Sequence, residues 1–314
     1  MSFNSYSVTI GSFNIYYYGL IITFGVLMAA LIAHLRVKRF SLPSDFALDL
    51  ILTLMPAGVI GARLYYVILK PENFKTFASI IDIHSGGLAI YGGIICGFLS
   101  AVILAKIKHI PLLKIADLTF PCVALAQSIG RWGNFVNREA YGILISNPKL
   151  QFFPLAVYIE SENNWFSATF FYESLACLII ALYTLLSEKK HNYPGRNTIL
   201  YLAFYACERC IVEGLRSDSL YLGSIRASQL LSAIIAAGVF VYMACKNKKP
   251  ALLWAGISAV IVLTIGICLG SFTLISLGSV LMLCVNLMFV RCSRIHRGTN
   301  NSEGSYQADT KAQN

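Results

Sequence analysis

Long apolar stretches recur along the whole chain, separated by short segments that hold most of its polar residues. Each stretch is about 20 residues long, the length that an α-helix needs to cross a bilayer. The fold class that this pattern predicts is an all-α, polytopic transmembrane helix bundle, with a seven-helix core plus an extra C-terminal two-helix hairpin. The predicted spans lie near residues 15–35, 47–69, 87–105, 112–130, 169–187, 197–215, 227–245, 251–269 and 272–290.

The composition agrees with a lipid environment. Of the 314 residues, 57% are hydrophobic and 13% are charged, whereas soluble domains contain about 25% charged residues. The polar N-terminus lacks the cationic start of a secretory signal, so we expect the first apolar segment to remain as a spanning helix. The nine cysteines fall mostly in or beside apolar segments, which favours buried free thiols over a disulfide framework.

The distribution of basic residues predicts the orientation of the chain. Most of the 25 lysines and arginines fall in the loops after the first, third, fifth and seventh helices and in the C-terminal tail. The positive-inside rule places these segments in the cytoplasm and the N-terminus outside. The net charge of +10 is therefore a topology signal, and we expect no nucleic-acid partner.

We divide the chain into three parts. Residues 1–248 form the predicted membrane core, in which the loop 131–168 is long enough to build a small extracytoplasmic cap. Residues 249–291 form an accessory hairpin with almost no polar side chains. Residues 292–314 are polar and are predicted to be a disordered cytoplasmic tail.

Polar side chains recur at intervals of four in the sixth predicted helix, which places Tyr201, Tyr205, Arg209 and Glu213 on one face. Charged groups inside a membrane are costly and indicate a functional site by default. Two interpretations stay open. Arg209 and Glu213 form an ion pair that only sits at the interface, or Arg209 faces a cavity in which Glu213 orients it and Tyr205 adds a hydroxyl. Glu208 lies one position off this face, where a neighbouring helix is its expected contact.

The segment 129–142 places arginine, asparagine and glutamate side chains among glycines, immediately after an apolar run that is long enough to span a bilayer. An arginine beside flexible glycine backbone suits an anion such as a lipid phosphate. The alternative is that Gly-Arg-Trp-Gly only caps a helix, with the arginine reaching into the headgroup region. The candidate residues of this segment are Arg131, Asn134, Asn137, Glu139 and Gly142.

Other polar groups are also candidates. Tyr91 stands between two glycine pairs. Close packing of helices is one explanation of the glycines, but it does not explain a tyrosine placed between them. Tyr18 belongs to an aromatic group at the outer end of the first helix, where an interfacial aromatic belt is the alternative. Glu173 lies just inside an apolar helix, and Arg63 is a candidate counter-ion for Glu173 or Glu213.

Together these segments closely resemble the signature of the bacterial prolipoprotein diacylglyceryl transferase family, in the family's order and over roughly residues 10–245. The most specific element is Gly130-Arg-Trp-Gly-Asn-Phe-Val-Asn-Arg-Glu-Ala-Tyr-Gly142. The others are Tyr18-Gly19, Gly61-Ala-Arg-Leu64, Gly86-Gly-Leu-Ala-Ile-Tyr-Gly-Gly93, Thr169-Phe-Phe-Tyr-Glu-Ser174, Tyr205-x-x-x-Arg209-x-x-x-Glu213 and Arg226-x-x-Gln229.

The resemblance implies seven helices in a bacterial plasma membrane. It also implies an enzyme that transfers diacylglyceryl from phosphatidylglycerol to the lipobox cysteine of a prolipoprotein signal peptide, forming a thioether and releasing glycerol phosphate. By the same resemblance Arg131 holds the lipid headgroup, and Asn134, Glu139 and Gly142 shape its site. Tyr18, Tyr205 and Arg209 complete the catalytic pocket.

The chain departs from the family pattern at Tyr91, where many members have a histidine, so a histidine-base mechanism cannot be carried over. The segment Trp165–Ala168 also lacks a frequent histidine, and the hairpin 249–291 has no counterpart in the seven-helix core.

The resulting hypothesis is an alkylation in which Arg209 favours the thiolate of the incoming cysteine, whose pKa is near 8.5 when unperturbed. Arg131 or Arg209 stabilises the departing phosphate, and Tyr91 or Tyr205 relays a proton. We expect no metal or other cofactor, because no His, Cys and Asp cluster has ligand spacing. A transporter or channel for a small anionic solute is the main alternative, since it also uses intramembrane charges. A purely structural scaffold protein is a weaker alternative.

Overall fold

The computed structural model describes residues 2–3, 7–10, 13–83, 86–188, 194–247 and 250–290. Eight helices among them are long and apolar enough to cross a membrane, which confirms the predicted all-α polytopic bundle. The helices are α1 (Tyr17–Val37), α2 (Phe46–Leu69), α3 (Phe77–Ile81), α4 (Ile90–Ile107), α5 (Leu112–Asn137), α6 (Thr169–Ser187), α7 (Arg196–Glu213), α8 (Ala227–Asn247), α9 (Pro250–Leu269) and α10 (Phe272–Val290).

The helix boundaries agree with the predicted spans to within a few residues, apart from one end. Helix α5 was predicted to stop near residue 130 but continues to Asn137, so residues 129–137 of the segment 129–142 are helical and do not belong to a loop. Helix α7 is the predicted span that is not among the eight apolar helices. Its hydropathy is lowered by Glu208, Arg209 and Glu213, which are the residues of functional interest.

Short antiparallel strands precede the first helix and connect two pairs of later helices. Near the N-terminus Ser2–Phe3, Ser7–Ile10 and Phe13–Tyr16 form a three-stranded sheet. Between α5 and α6, where a cap was predicted, Ala156–Ile159 pairs with Asn164–Ser167. A smaller hairpin of Tyr221–Leu222 and Ile225–Arg226 precedes α8.

The chain forms two compact units, one of Val26–Cys122 and one of Met1–Gly25 with Val123–Asn314. In the first unit, α2 and α4 cross at glycines. A Cβ on Gly92 would lie 2.2 Å from the carbonyl oxygen of Gly61, so neither position has room for a side chain. Close helix packing, the alternative considered above, therefore accounts for Gly92.

In the second unit, α7, α8 and the α9–α10 hairpin share one hydrophobic core. Cys207 of α7, Phe240 and Met243 of α8, and Met282 and Phe289 of α10 are all buried in it. The hairpin thus packs on the face of α7 that carries Cys207 and Cys210, where Leu263 and Ile275 continue the contact.

Many large apolar side chains are exposed along the spanning helices, as expected for surfaces that face lipid. The eight described cysteines are free, which confirms the prediction of unpaired thiols. Their burial differs from the prediction at Cys245, Cys268 and Cys284, which are exposed and lie on helices with lipid-facing surfaces.

Candidate active site

The last turns of α5 carry Arg131 and Asn134, three residues apart and therefore on one face of the helix. After Asn137 the chain reverses through Arg138 and Ala140, whose φ angles of 53° and 57° lie in the left-handed region. This reversal returns Glu139 to the helix end. Its amide donates to the carbonyl of Asn134 at 3.0 Å, and its Oε1 accepts from Asn134 Nδ2 at 2.9 Å.

Helix α6 places Glu173 opposite Arg131. The Ser174 hydroxyl donates to the carbonyl of Ser128 at 2.8 Å, which joins α5 and α6 about one turn from Arg131. The hydroxyl of Thr169 donates to the carbonyl of Ala140 at 2.5 Å, which ties the start of α6 to the reversal after α5. Glu173 is buried, with 3% of its side chain exposed.

Three arginines converge on the carboxylate of Glu173. Its Oε2 contacts Nε of Arg131, its Oε1 contacts Arg209, and Arg216 lies 3.8 Å from Oε1. Arg209 also binds Glu213 at 2.6 Å. We call Arg131, Glu173, Arg209, Glu213 and Arg216 the charge cluster. Arg209 binds Glu173 of another helix as well as Glu213 of its own helix, so it does not form only a local i,i+4 ion pair. A guanidinium group held in this way suits an anionic ligand.

Two phenols stand beside the charge cluster. Tyr205 stacks on Tyr201 with ring centroids 5.4 Å apart, and it interacts electrostatically with Arg131 and Arg209. Tyr18 of α1 packs against Gly133, where a Cβ would lie 2.8 Å from its ring, and its electrostatic neighbours are Glu139 and Arg131. Tyr18 and Tyr205, which the sequence predicted for the site, are thus both electrostatic neighbours of Arg131.

Gly142 is enclosed by protein atoms on three sides. A Cβ there would lie 2.0 Å from Ser167 Oγ and 2.7 Å from both the Leu215 carbonyl and the Thr169 methyl. Its amide donates to Ser167, and its backbone forms a β-bridge with Arg216. The absence of a side chain at Gly142 therefore allows its segment to pack closely against the segment of Arg216, whose guanidinium group lies near Glu173.

The end of α7 is held by the start of α8. Arg226 donates to the carbonyl of Glu213 at 2.7 Å, and Gln229 Nε2 donates to the carbonyl of Cys210 at 3.0 Å. Carbonyls in the last turn of a helix have no partner within the helix, so these bonds satisfy them. The motif Arg226-x-x-Gln229 thereby positions the part of α7 that carries Arg209 and Glu213.

The structure corrects the expected role of Arg63. Its five N–H groups donate to backbone carbonyls at 2.5–2.8 Å, whereas the carboxylates of Glu173 and Glu213 are bound by other arginines. Arg63 therefore organises the backbone that precedes α4 and is not their counter-ion. Its acceptors are Ser79, Ile80, Asp82, Gly86 and Gly87.

Tyr91 is the second residue of α4 and belongs to the Val26–Cys122 unit. Its place in the reaction stays a prediction. His84, the histidine nearest to the glycine-rich motif in sequence, lies outside the described residues.

Two cavities are lined by residues from the last turns of α5, the part of that helix that carries Arg131. An apolar groove of about 560 Å³ lies between α1, α5 and α6, with Phe24, Ile129, Trp132 and Leu178 among its lining residues. A second cavity of about 390 Å³ lies under the hairpin that follows α5, and Asn134, Glu139 and Arg138 line it. An apolar groove beside a polar cavity matches the two ends of an amphiphile.

Sequence reasoning missed Arg216 and Asp218, which follow α7. Arg216 binds Asp218 through two hydrogen bonds of 2.9 and 2.8 Å. Burial opposes the charge on both groups, yet their mutual hydrogen bonds and charges raise the pKa of Arg216 and lower the pKa of Asp218. No periodicity marked them, because they lie in a turn. Glu208 was noticed only as lying off the predicted face.

Comparison with known proteins agrees with this geometry. Residues 5–245 match the family described as prolipoprotein diacylglyceryl transferase. The phosphatidylglycerol–prolipoprotein diacylglyceryl transferase 1 of Clostridium perfringens is 39% identical over 255 residues, covering 78% of this chain and 97% of the relative. The corresponding transferases of Finegoldia magna and Lysinibacillus sphaericus are 40% and 35% identical. These matches cover 75% of this chain and 93% of the relative, and 80% and 96%, respectively.

Proposed function

The chain belongs to the prolipoprotein diacylglyceryl transferase family, and from this membership we propose a role for each part of the charge cluster and its surroundings. The protein is a membrane transferase that moves the diacylglyceryl group of phosphatidylglycerol to prolipoproteins, the first step of lipoprotein maturation. The observation that supports the site assignment is the convergence of Arg131 and Arg209 on Glu173. The transporter interpretation is not favoured.

The lipid binds with its phosphate at the two guanidinium groups. Arg131 and Arg209 are oriented by Glu173 before the ligand arrives, so little reorganisation is needed when the phosphate binds. Asn134 and Glu139 offer hydrogen bonds to the glycerol hydroxyls of the headgroup, beside the polar cavity. Gly142 contributes by allowing the close packing that places Arg216. The acyl chains lie in the apolar groove next to Trp132.

The acceptor is the thiol of a lipobox cysteine in a prolipoprotein signal peptide. The sulfur attacks the glycerol carbon that carries the phosphate, a C–S bond forms, and the C–O bond breaks with its electron pair on the phosphate oxygen. Negative charge grows on the leaving glycerol phosphate, and Arg131 and Arg209 stabilise that charge. A fixed donor of this kind contributes about 100- to 1,000-fold in rate. Tyr18 and Tyr205 bound the space beside Arg131.

The protein acts in the bacterial plasma membrane, with the N-terminus outside and the C-terminus in the cytoplasm. This orientation is supported by the excess of lysine and arginine in the segments assigned to the cytoplasm. Both substrates are amphiphiles, so they enter laterally from the bilayer.

The test uses the purified full-length chain in nanodiscs that contain phosphatidylglycerol, with a synthetic lipobox peptide. We expect the peptide to gain a diacylglyceryl group by mass spectrometry, with one glycerol phosphate released for each peptide. A peptide with serine in place of the cysteine and nanodiscs of phosphatidylethanolamine alone serve as controls. Labelling of the serine peptide, or the absence of labelling of the cysteine peptide, would contradict the proposal.

A further inference from the structure

Glu208 of α7 differs in its contacts from the acidic residues of the charge cluster. Among the described residues, neither oxygen has a hydrogen bond or an ion pair, and both are shielded from solvent. Glu173 and Glu213, by contrast, are bound by arginines. A buried carboxylate without a partner is costly to the fold, so its presence inside a membrane helix indicates a functional role.

The position of Glu208 directs it toward the reacting groups. It follows Tyr205 by three residues, which makes the two side chains neighbours on the surface of the helix, although Glu208 lies at the edge of the face that carries Tyr205 and Arg209. Its charge acts on Tyr205, on Arg131 of α5 and on Cys177 of α6. The carboxylate of Glu208 therefore lies where three helices meet beside the charge cluster.

The transfer requires a group that accepts a proton. The nucleophile is the thiolate, and a thiol with a pKa near 8.5 is mostly protonated at neutral pH. The guanidinium groups of Arg131 and Arg209 cannot accept a proton, and the carboxylates that bind them are already engaged. A carboxylate that no described residue engages meets this requirement.

We propose that Glu208 is the general base of the transfer and takes the proton of the acceptor thiol as the sulfur attacks the glycerol carbon. This inference rests on the proposed function. The S–H bond breaks with its proton on Glu208, the C–S bond forms, and the C–O bond to the phosphate breaks with its electron pair on oxygen. Glu208 then gives the proton to the departing glycerol phosphate, which restores its carboxylate.

A change of nucleophile separates a base from a residue that only supports the fold. A lipobox peptide with selenocysteine in place of cysteine carries a selenol that is already ionised at neutral pH, so its attack needs no base. The experiment compares Glu208→Gln with the unmodified protein on the cysteine and the selenocysteine peptide, in phosphatidylglycerol nanodiscs at pH 7. Glu72→Gln, which changes an exposed carboxylate, is the matched control.

We expect Glu208→Gln to lower the rate with the cysteine peptide by about 100-fold or more. The same variant should transfer to the selenocysteine peptide at nearly the rate of the unmodified protein, which would also show that it is folded. The deficit with the cysteine peptide should shrink as the pH rises toward the thiol pKa of about 8.5. Glu208→Asp should restore part of the activity.

The charged and titratable groups that face Glu208 are the same in both arms of the comparison, so they do not produce the difference between the peptides. They are Arg131 from α5, Glu173 and Cys177 from α6, and Tyr201, Tyr205, Arg209, Cys210 and Glu213 from α7.

Equal losses on the two peptides would overturn the proposal, because they would assign Glu208 a structural role. An unchanged rate with cysteine would overturn it as well. If the unmodified protein labelled neither peptide, the proposed function itself would fail, and this outcome is distinct from a defect of the variant alone.

Discussion

Arg131 and Arg209 lie on different helices, and their guanidinium groups contact the two oxygens of one carboxylate, that of Glu173. Arg131 comes from the end of α5 and Arg209 from α7. This carboxylate holds both guanidinium groups in a buried site, where a charge-assisted hydrogen bond from an arginine to an anion is strong because the surroundings are apolar. The expected behaviour of several variants follows from this arrangement.

Arg131→Ala and Arg209→Ala should each lower diacylglyceryl transfer by about 100-fold or more, because each removes an oriented donor from the leaving phosphate. Both proteins should still insert in the membrane. The measurement is peptide labelling by mass spectrometry, with Lys149→Ala, an exposed cation of the segment between α5 and α6, as the control. Labelling by both variants at the rate of the control would end the assignment of these residues.

Glu173→Gln keeps the shape of the side chain and removes the charge that Arg131 and Arg209 share. Removing one partner of a buried ion pair costs about 3–5 kcal/mol, so the melting temperature in detergent should fall by several degrees and transfer should be lost. Glu72→Gln should leave both values unchanged. A variant with full stability would show that the two arginines do not need this carboxylate.

Gly142→Ala should damage the protein through packing alone. The added methyl group would overlap Ser167 and the carbonyl of Leu215, and such overpacking costs roughly 1–3 kcal/mol. Transfer should fall because Arg216 moves away from Glu173. Gly238→Ala, at a helical position with no atom within 4 Å of the new Cβ, should be neutral or slightly stabilising. Thermal unfolding and peptide labelling measure the two effects.

The pair of Arg216 and Asp218 should make part of the stability depend on pH. The pKa of Asp218 is lowered in the folded protein, so its contribution is complete above the unfolded value of about 3.9 and is lost as the pH falls through the folded value. Asp218→Asn should therefore be less stable than the unmodified protein at neutral pH, and the difference should shrink in acid. In Arg216→Gln the same substitution should have little effect, and a persistent effect would contradict the pairing.

Truncation after Asn247 should show whether the α9–α10 hairpin contributes to stability or to the transfer reaction. The family match ends at residue 245, so transfer should persist within several-fold. The melting temperature should fall, because Cys207 and Cys210 of α7 would lose their packing against α9 and α10 and lipid replaces such contacts incompletely. Loss of transfer from a folded truncated protein would instead assign the hairpin to the reaction.

Most of the fold can be predicted from local pattern, because a spanning helix satisfies its backbone within one continuous segment and must be apolar. Runs such as 169–187 and 272–290 therefore mark their helices directly. The end of α5 was misplaced because its last turns carry Arg131 and Asn134, and such polar residues are typical of a loop at the membrane edge.

The residue types of the site were also predictable, since charge inside a membrane is rare enough to be noticed. The partners of those charges were not, because an ion pair depends on how helices distant in the chain are rotated against one another. Arg63 and Glu173 both suited a pairing by charge, yet Arg63 binds backbone carbonyls and Glu173 takes Arg131 and Arg209. Packing likewise decides that the neighbouring arginines bind Glu173 and Glu213, so that Glu208 has no ion pair within the part of the chain that the structure describes.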